Sequence, residues 1–411
     1  MKSARFTPYQ LRLFVFLSVA SLFEGYDFFA LTQILPNLRA EMGLDASGGG
    51  MLVTFINFGT LVAYLLVRKA DRWGRKRVLT VTIAGYALFT GLSGLAPNVI
   101  VFAIFQMLAR IFLIGEWATS MVIAAEEFPA ERRGMVIGVI TAMASLGSVI
   151  CAGIVPILLK TDYGWRSVYF VGVVPLLILA YARRGLRETE RFTRQLLERS
   201  AADAARGRSL FAILKTPYRK RVFELGLIWF VTYICTQNGI TFWKEFALAE
   251  RGFTDAEVGK AIAIAAVASM PLVFFAGKLL DVVGRKPGAA LIFGTTAIGV
   301  FGCYTLEGKG PLTFMLILGI FGTSSVLPVL NAFTTELFPT EYRGDAFAWS
   351  NNLLGRVGYV LSPLAVGFAA DSVGWGPAVA TTALAPLVAL GLIFWLLPET
   401  RAKELEEISP A

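Results

Sequence analysis

An all-α membrane protein, with twelve transmembrane helices in two pseudo-symmetric bundles of six and both termini cytoplasmic, is the fold class predicted by three features of this sequence. The first is composition: of 411 residues, 56% are hydrophobic and only 16% charged, too apolar a balance for a dissolved globule of this length. Its solvent is lipid. The second is segmentation, because apolar stretches of about 20 residues, the length that crosses a hydrocarbon core of about 30 Å, recur twelve times. The third is duplication. Asp71-Arg72-Trp73-Gly74-Arg75-Lys76 returns 210 residues later as Asp281-Val282-Val283-Gly284-Arg285-Lys286. At the same offset Glu126, Phe128, Pro129, Glu131, Arg133 and Gly134 return as Glu336, Phe338, Pro339, Glu341, Arg343 and Gly344, and Gly164-Trp165 returns as Gly374-Trp375. One long offset shared by three motifs excludes a short-period solenoid and points to two homologous halves.

In chain order the expected spans are 12–37, 50–68, 78–96, 99–125, 134–159, 167–183, 222–248, 257–277, 288–306, 311–335, 345–369 and 376–397. Lys2, Arg5 and Arg12 ahead of the first span mimic a signal peptide, but the run is long, carries Glu24 and Asp27, and lacks a small-residue cleavage site, so it reads as a retained helix. Six spans fall on each side of a polar stretch, giving an N-terminal bundle over 1–183, a linker over 184–221 and a C-terminal bundle with tail over 222–411. Within the linker, Leu186, Phe192, Leu196 and Leu197, then Leu210, Phe211 and Leu214, recur at loosely helical spacing. Short amphipathic helices on the cytoplasmic face are expected there, with a flexible tether as the alternative. Leu405 and Ile408 give the tail a similar character. Pro156, Pro175, Pro271, Pro328 and Pro363 sit inside spans, where lipid-embedded helices tolerate bends.

The net charge of +9 does not indicate nucleic acid, because most Lys and Arg cluster in the loops that six-plus-six crossings place inside, the positive-inside bias. Cys151, Cys235 and Cys303 lie far apart, each within a span and without metal-ligand spacing. No cofactor, metal or nucleic-acid partner is expected. A monomer suffices, since both halves lie in one chain.

The repeated loops resemble the major facilitator superfamily, whose hallmark between the second and third helices is Gly, Asp four residues on, then Gly-Arg-Lys. Gly277, Asp281, Gly284 and Arg285 match it fully; Asp71, Gly74 and Arg75 match it with Val67 in place of the leading Gly. Gly25-Tyr26-Asp27, the run Glu336 to Gly344, and Leu397-Pro398-Glu399-Thr400 narrow the resemblance to the branch of sugar porters, organic-ion transporters and metabolite:proton symporters. That resemblance implies a secondary active transporter rather than an enzyme, working by alternating access in a plasma or bacterial inner membrane. It assigns Asp71, Arg72, Gly74, Arg75, Glu126, Arg133, Gly277, Asp281, Gly284, Arg285, Glu336 and Arg343 to gating.

A charge at mid-membrane costs about 2.5–3.5 kcal/mol on the insertion scale, so the few present are informative. Glu24 and Asp27 lie three apart on one face of the first span; Arg110 and Glu116, six apart, are turned about 120° from each other. With no histidine, a side chain carrying a coupled proton near neutral pH is a carboxylate. In relatives the Gly-Tyr-Asp aspartate is the proton site and is held by an Arg of the fourth helix, which makes Asp27 the first choice. Here the usual Arg position is Gln106 and Arg110 lies one turn later, free to reach Asp27 or to neutralise Glu116; Glu24 and Glu116 are further proton-coupling candidates. Arg356 is the leading substrate contact, because a guanidinium matches a carboxylate bidentately. Asn351 and Asn352 stand beside it. Asn238, Thr241 and Glu245, at i, i+3 and i+7, form a polar stripe in the seventh span, Gln237 is a further amide there, Asn331 adds a polar group in the tenth, and Tyr26 and Trp243 could stack on a ring.

These readings lead to proton-coupled symport of a small organic acid across the bilayer. A sugar symporter, an organic-ion or drug exporter and a non-cycling sensor are the alternatives. No His, metal-ligand cluster, Gly-x-Ser-x-Gly or phosphate-loop motif supports an enzyme.

Overall fold

The computed structural model describes residues 6–182, 187–188, 211–339 and 342–400, with side chains unassigned at several positions, among them Asp71, Arg72, Arg133, Gly277 and Asp281. Of the expected amphipathic helices, the one around Phe192, Leu196 and Leu197 and the tail around Leu405 lie outside the described residues, while the end of the second, at Phe211 and Leu214, is described and holds a single 3-10 turn over Ile213–Lys215. The described residues form helices and no strand.

In the first half, α1 (Pro8–Met42), α2 (Ala46–Trp73), α3 (Arg75–Gly94), α4 (Val99–Glu127), α5 (Ala130–Leu158) and α6 (Arg166–Ala182) follow one another through short turns. The second half holds α7 (Arg219–Thr241), α8 (Trp243–Arg251), α9 (Asp255–Val283), α10 (Arg285–Thr305) and α11 (Lys309–Glu336). Then come α12 (Arg343–Phe347), a π-helical stretch over Ala348–Gly355, α13 (Arg356–Val373), α14 (Trp375–Ala380) and α15 (Leu384–Leu396). Among the described residues nine helices are long and apolar enough to cross a membrane. The expected seventh span is not continuous. Phe242 interrupts it, so Glu245 belongs to α8 and is separated from Asn238 and Thr241, with which it was expected to form one stripe.

Helix ends show why the chain turns where it does. Asn98 accepts the Val101 N–H at 3.0 Å to start α4, and Thr254 with Glu257 forms a capping box at α9. Gly74 and Gly284, the glycines of the repeated Gly-Arg-Lys, have φ of 94° and 114°. Side-chain-bearing residues avoid that region, which accounts for glycine in both copies.

The chain divides into two compact units, one of residues 1–38 and 55–207, the other of 39–54 and 208–411. In the first, α3 packs on α4 and α6, around a core that includes Phe16, Tyr86, Leu113 and Phe128. In the second, α10 packs on α11 and α15 while α7 lies against the π-helical stretch and α13, around Trp229, Phe293, Phe333 and Phe338. Ile213, just before α7, is fully buried in that core.

The segment 39–54 joins the second unit through polar contacts. Arg39 pairs with Glu245 at 2.8 Å and lies 5.2 Å over the Trp375 ring, and Asp371 accepts the Ala46 and Ser47 N–H groups at the start of α2. In the intervening loop, the Gly48 N–H and Ser47 hydroxyl donate to Asp45 and hold its carboxyl below the ordinary range. Gly50 sits against the Pro363 carbonyl and Gly367, where a Cβ would come within 2.4 Å of backbone.

The tightest crossing in the first unit joins α1 to α5: a Cβ on Gly25 would lie 1.8 Å from the Ala144 carbonyl oxygen, and one on Gly147 would lie 1.8 Å from that of Leu22. Small residues let membrane helices approach to this distance. The second unit repeats the device between α7 and α13, where a Cβ on Gly358 would fall 2.3 Å from the Phe230 carbonyl oxygen. Gly147→Ala is therefore expected to force α1 and α5 apart and to destabilise the protein by about 1–3 kcal/mol. Gly153→Ala, where a Cβ meets nothing within 4 Å, should be neutral; thermal melts in one detergent check both.

Candidate functional site

Two constellations stand out in each unit: a polar network at the ends of the helices next to the Gly-Arg-Lys turns, and polar groups at mid-helix.

The end networks are built alike. In the first unit Arg75 pairs with Glu126 at 3.1 Å, and the Glu188 carboxylate accepts the Arg75 and Lys76 N–H groups at 2.8 and 3.3 Å. In the second, Arg285 pairs with Glu336 at 2.8 Å, and Glu399 accepts the Arg285 and Lys286 N–H groups at 2.9 and 2.8 Å. Each carboxylate therefore meets the free N–H groups and positive dipole end of a long helix. Arg343 donates to the Phe338 carbonyl at 3.1 Å, and Thr400 donates to Glu336. Glu188 and Glu399 are absent from the residues expected from sequence. A signal for them exists, since Leu186-Arg187-Glu188-Thr189 mirrors Leu397-Pro398-Glu399-Thr400.

At mid-helix in the first unit, Asp27 is buried, with Thr90 of α3 donating to its Oδ2 at 2.9 Å. Gly172 of α6 faces it so closely that a Cβ would lie 2.9 Å from Oδ1, an oxygen with no hydrogen-bond partner. Arg110 of α4 is buried with its guanidinium 4.5 Å over the Phe28 ring, and its Nη1 lacks a hydrogen-bond partner. Neither Asp27 nor Glu116 stands at ion-pair distance from it among the described residues. Gln106 donates to Ser93 at 2.9 Å, and the Tyr26 hydroxyl donates to the Val168 carbonyl at 3.1 Å, so both groups tie neighbouring helices together. Glu24 and Glu116 are both buried, with the Ser21 hydroxyl donating to Glu24 at 3.1 Å.

In the second unit Arg356 opens α13, directly after the π-helical stretch, with its Nε donating to Asn352 Oδ1 at 3.2 Å. The Tyr233 hydroxyl donates to Asn351 Oδ1 at 3.1 Å, and the Tyr233 and Tyr359 rings meet edge to face at 5.5 Å. A π-helix widens the turn and re-aims side chains, and such segments concentrate at functional sites. Around Arg356, then, two amides and two tyrosines gather from α7, α13 and the π-helical stretch. No carboxylate stands at ion-pair distance from Arg356 among the described residues. Of the other candidates, Gln237 and Thr241 bond to each other at 3.2 Å, Asn238 donates to the Ile234 carbonyl, Trp243 is packed against Phe253, and Asn331 is exposed on α11. Tyr233 and Tyr359 were not expected from sequence; the i, i+4 pair Trp229 and Tyr233 was the available cue.

Comparison with known proteins settles the family. The Major Facilitator Superfamily model matches residues 17–355 and, again, 225–409. The chain belongs to the major facilitator superfamily. This superfamily member is a transporter and not an enzyme, and a multi-pass integral membrane protein. It is 27% identical to the cis,cis-muconate transport protein of Acinetobacter baylyi over 88% of this chain and 89% of the relative. It is 25% identical to the niacin transporter of the same organism over 94% and 93%. Its fold is similar to that of the E. coli xylose transporter in an inward-open conformation, with a TM-score of 0.76 and 18% identity over 97% and 98% of the two chains.

Glu399→Gln should weaken the acceptor that holds the first turn of α10, a loss of about 1.5–3 kcal/mol for a charged hydrogen-bond group. The initial rate of substrate uptake is expected to fall about tenfold or more. Glu307→Gln, exposed before α11, should leave uptake unchanged.

Proposed function

We propose that this transporter is a proton-coupled symporter importing a small organic acid, with Asp27 carrying the coupled proton and Arg356 meeting the substrate carboxylate. The observation that carries this reading is Arg356 itself. A guanidinium inside an apolar helix demands a counter-charge, and no described carboxylate supplies one at ion-pair distance. Its five donors form a fork suited to a carboxylate, while Asn351, Asn352 and Tyr233 add neutral hydrogen-bonding groups around it. Two of the relatives named above are transporters of carboxylates, muconate and niacin, which supports the same substrate chemistry.

Asp27 suits the proton because its Oδ1 is buried and unpartnered, while Arg110, the buried cation of the same unit, makes no ion pair with it. A change of conformation that alters the separation of the two changes the proton affinity of the carboxylate. We further infer twelve crossings with both termini cytoplasmic, an N-terminal bundle ending near residue 183, and a monomer as the working unit. The concentration of Lys and Arg in the loops placed inside and the duplication support that topology.

The test is solute-evoked current and uptake in proteoliposomes over a panel of monocarboxylates, dicarboxylates, aromatic acids, sugars and organic cations. Current restricted to acids is expected, and a response to sugars or cations alone would overturn the assignment. Arg356→Gln should weaken substrate binding about 10–100-fold, the equivalent of about 1.5–3 kcal/mol for a charge-assisted contact. Asp27→Asn should abolish current while retaining binding and counterflow.

A further inference from the structure

We propose that a groove between the start of α1 and the end of α6, in the first unit, binds one anionic phospholipid, with its phosphate held between Arg12 and Arg187 and an acyl chain laid along the helices. The groove has a volume of about 840 Å³. Its α1 wall is made by Leu11, Val15 and Val19, which share a face at four-residue spacing, and Ile178 and Leu179 close it from α6. Leu11, Val15 and Ile178 are 53%, 53% and 64% exposed, so the wall is open to its surroundings, which for a membrane-spanning helix are hydrocarbon. From Arg12 to Val19 the helix rises about 10 Å, within the depth of about 15 Å that one leaflet offers.

That shape admits any acyl chain; the charge at its mouth selects the headgroup. Arg12 and Arg187 both line the groove and both are exposed. Tyr9 positions Arg187: its hydroxyl accepts the Arg187 backbone N–H at 3.3 Å, and its ring lies 5.6 Å below the guanidinium. Neither contact uses the guanidinium N–H donors, and neither arginine makes an ion pair among the described residues. Glu188, next to Arg187 in the chain, receives the Arg75 and Lys76 N–H groups. The first turn of α1 has no acidic residue, so the positive end of its dipole adds to the same field. Two guanidiniums match phosphate oxygens bidentately, and basic pockets between membrane helices take acidic headgroups. A zwitterionic lipid brings a cation that the same two arginines repel.

Binding in the groove is independent of substrate and of proton coupling; only the leaflet it opens to, the cytoplasmic one, follows from the topology proposed above. Native mass spectrometry of the full chain, released from detergent with phosphatidylglycerol or phosphatidylcholine added, tests it. One phosphatidylglycerol is expected to be retained in preference to phosphatidylcholine, and Arg12→Gln with Arg187→Gln should weaken its binding about 10–30-fold. Ile178→Trp, which fills the groove and keeps both charges, should weaken it as well. Arg219→Gln with Lys220→Gln, two charges removed from the second unit, should leave it unchanged. All five positions are exposed, and a thermal melt checks that each variant is folded. A diazirine on the acyl chain is expected to label peptides of α1 and α6. Equal retention of the two lipids, an equal loss in the Arg219 and Lys220 variant, labelling elsewhere, or no retained lipid, as when another segment of the chain covers the groove, would overturn the proposal.

Discussion

Hydrocarbon solvates neither a charge nor a free peptide group, and the features described here follow from that constraint. Backbone donors and acceptors are satisfied within helices, so the described residues are largely helical, and several of their turns are set by a cap or a glycine. Charges that could not remain in the spans gather at helix ends, where they take over the unsatisfied N–H groups. Glu188 and Glu399 illustrate this. Each carboxylate receives two N–H groups of a long helix whose first residue is an arginine, and that arginine in turn pairs with a glutamate at the end of the neighbouring helix. Four kinds of interaction close one small circuit: dipole, backbone hydrogen bond, ion pair, and the positive-φ glycine that makes the turn.

The same circuit occurs in both units because the sequence is duplicated, yet the copies are not interchangeable. Thr400 adds a hydroxyl to Glu336 in the second, and Gly277 in that copy stands where the first has Val67. Between helices the duplication is again visible: glycines set the approach of α1 to α5 and of α7 to α13. At mid-helix the resemblance ends. The first unit buries three carboxylates and a guanidinium at Glu24, Asp27, Glu116 and Arg110, whereas the second presents Arg356 among amides and tyrosines. Duplication kept the frame, and the interior diverged.

How much of this could be read from sequence follows the same division. Span positions were legible because lipid imposes a length on every apolar run, and the end networks because their motifs recur at a fixed offset. The break at Phe242 was not: no Gly or Pro stands at it, and the apolar residues of α7 run on into Trp243, Phe246, Ala247 and Leu248 of α8, so the two read as one run. The π-helical stretch before Arg356 was equally hidden, since Ala348–Gly355, which packs against α7, has ordinary helical composition. Spacing placed Glu24 with Asp27 correctly on one helix. It could not show that Asp27 meets Thr90, because that contact depends on how α1 and α3 are rotated about their axes. Tyr26 and Gln106 made the opposite point: polar residues in a span look like ligand groups until their helix-to-helix hydrogen bonds are seen.

On the proposed reading, the divergence of the interiors is what couples two solutes. A ligand shifts a conformational equilibrium only by its difference in affinity between the states. Proton sites in one unit and an anion site in the other satisfy that requirement, provided each site is remade when the conformation changes. Linkage is then reciprocal: a proton that favours the anion-binding conformation tightens the anion, and the anion tightens the proton by the same factor. The physical demand on the protein is that its buried charges remain incompletely neutralised. A fully paired Arg356, or an Asp27 locked to Arg110, would be cheaper to bury and would have nothing left to exchange with a substrate. The unpartnered oxygens of Glu24, Asp27 and Glu116 and the open fork of Arg356 are costs that a purely structural helix bundle would have no reason to keep.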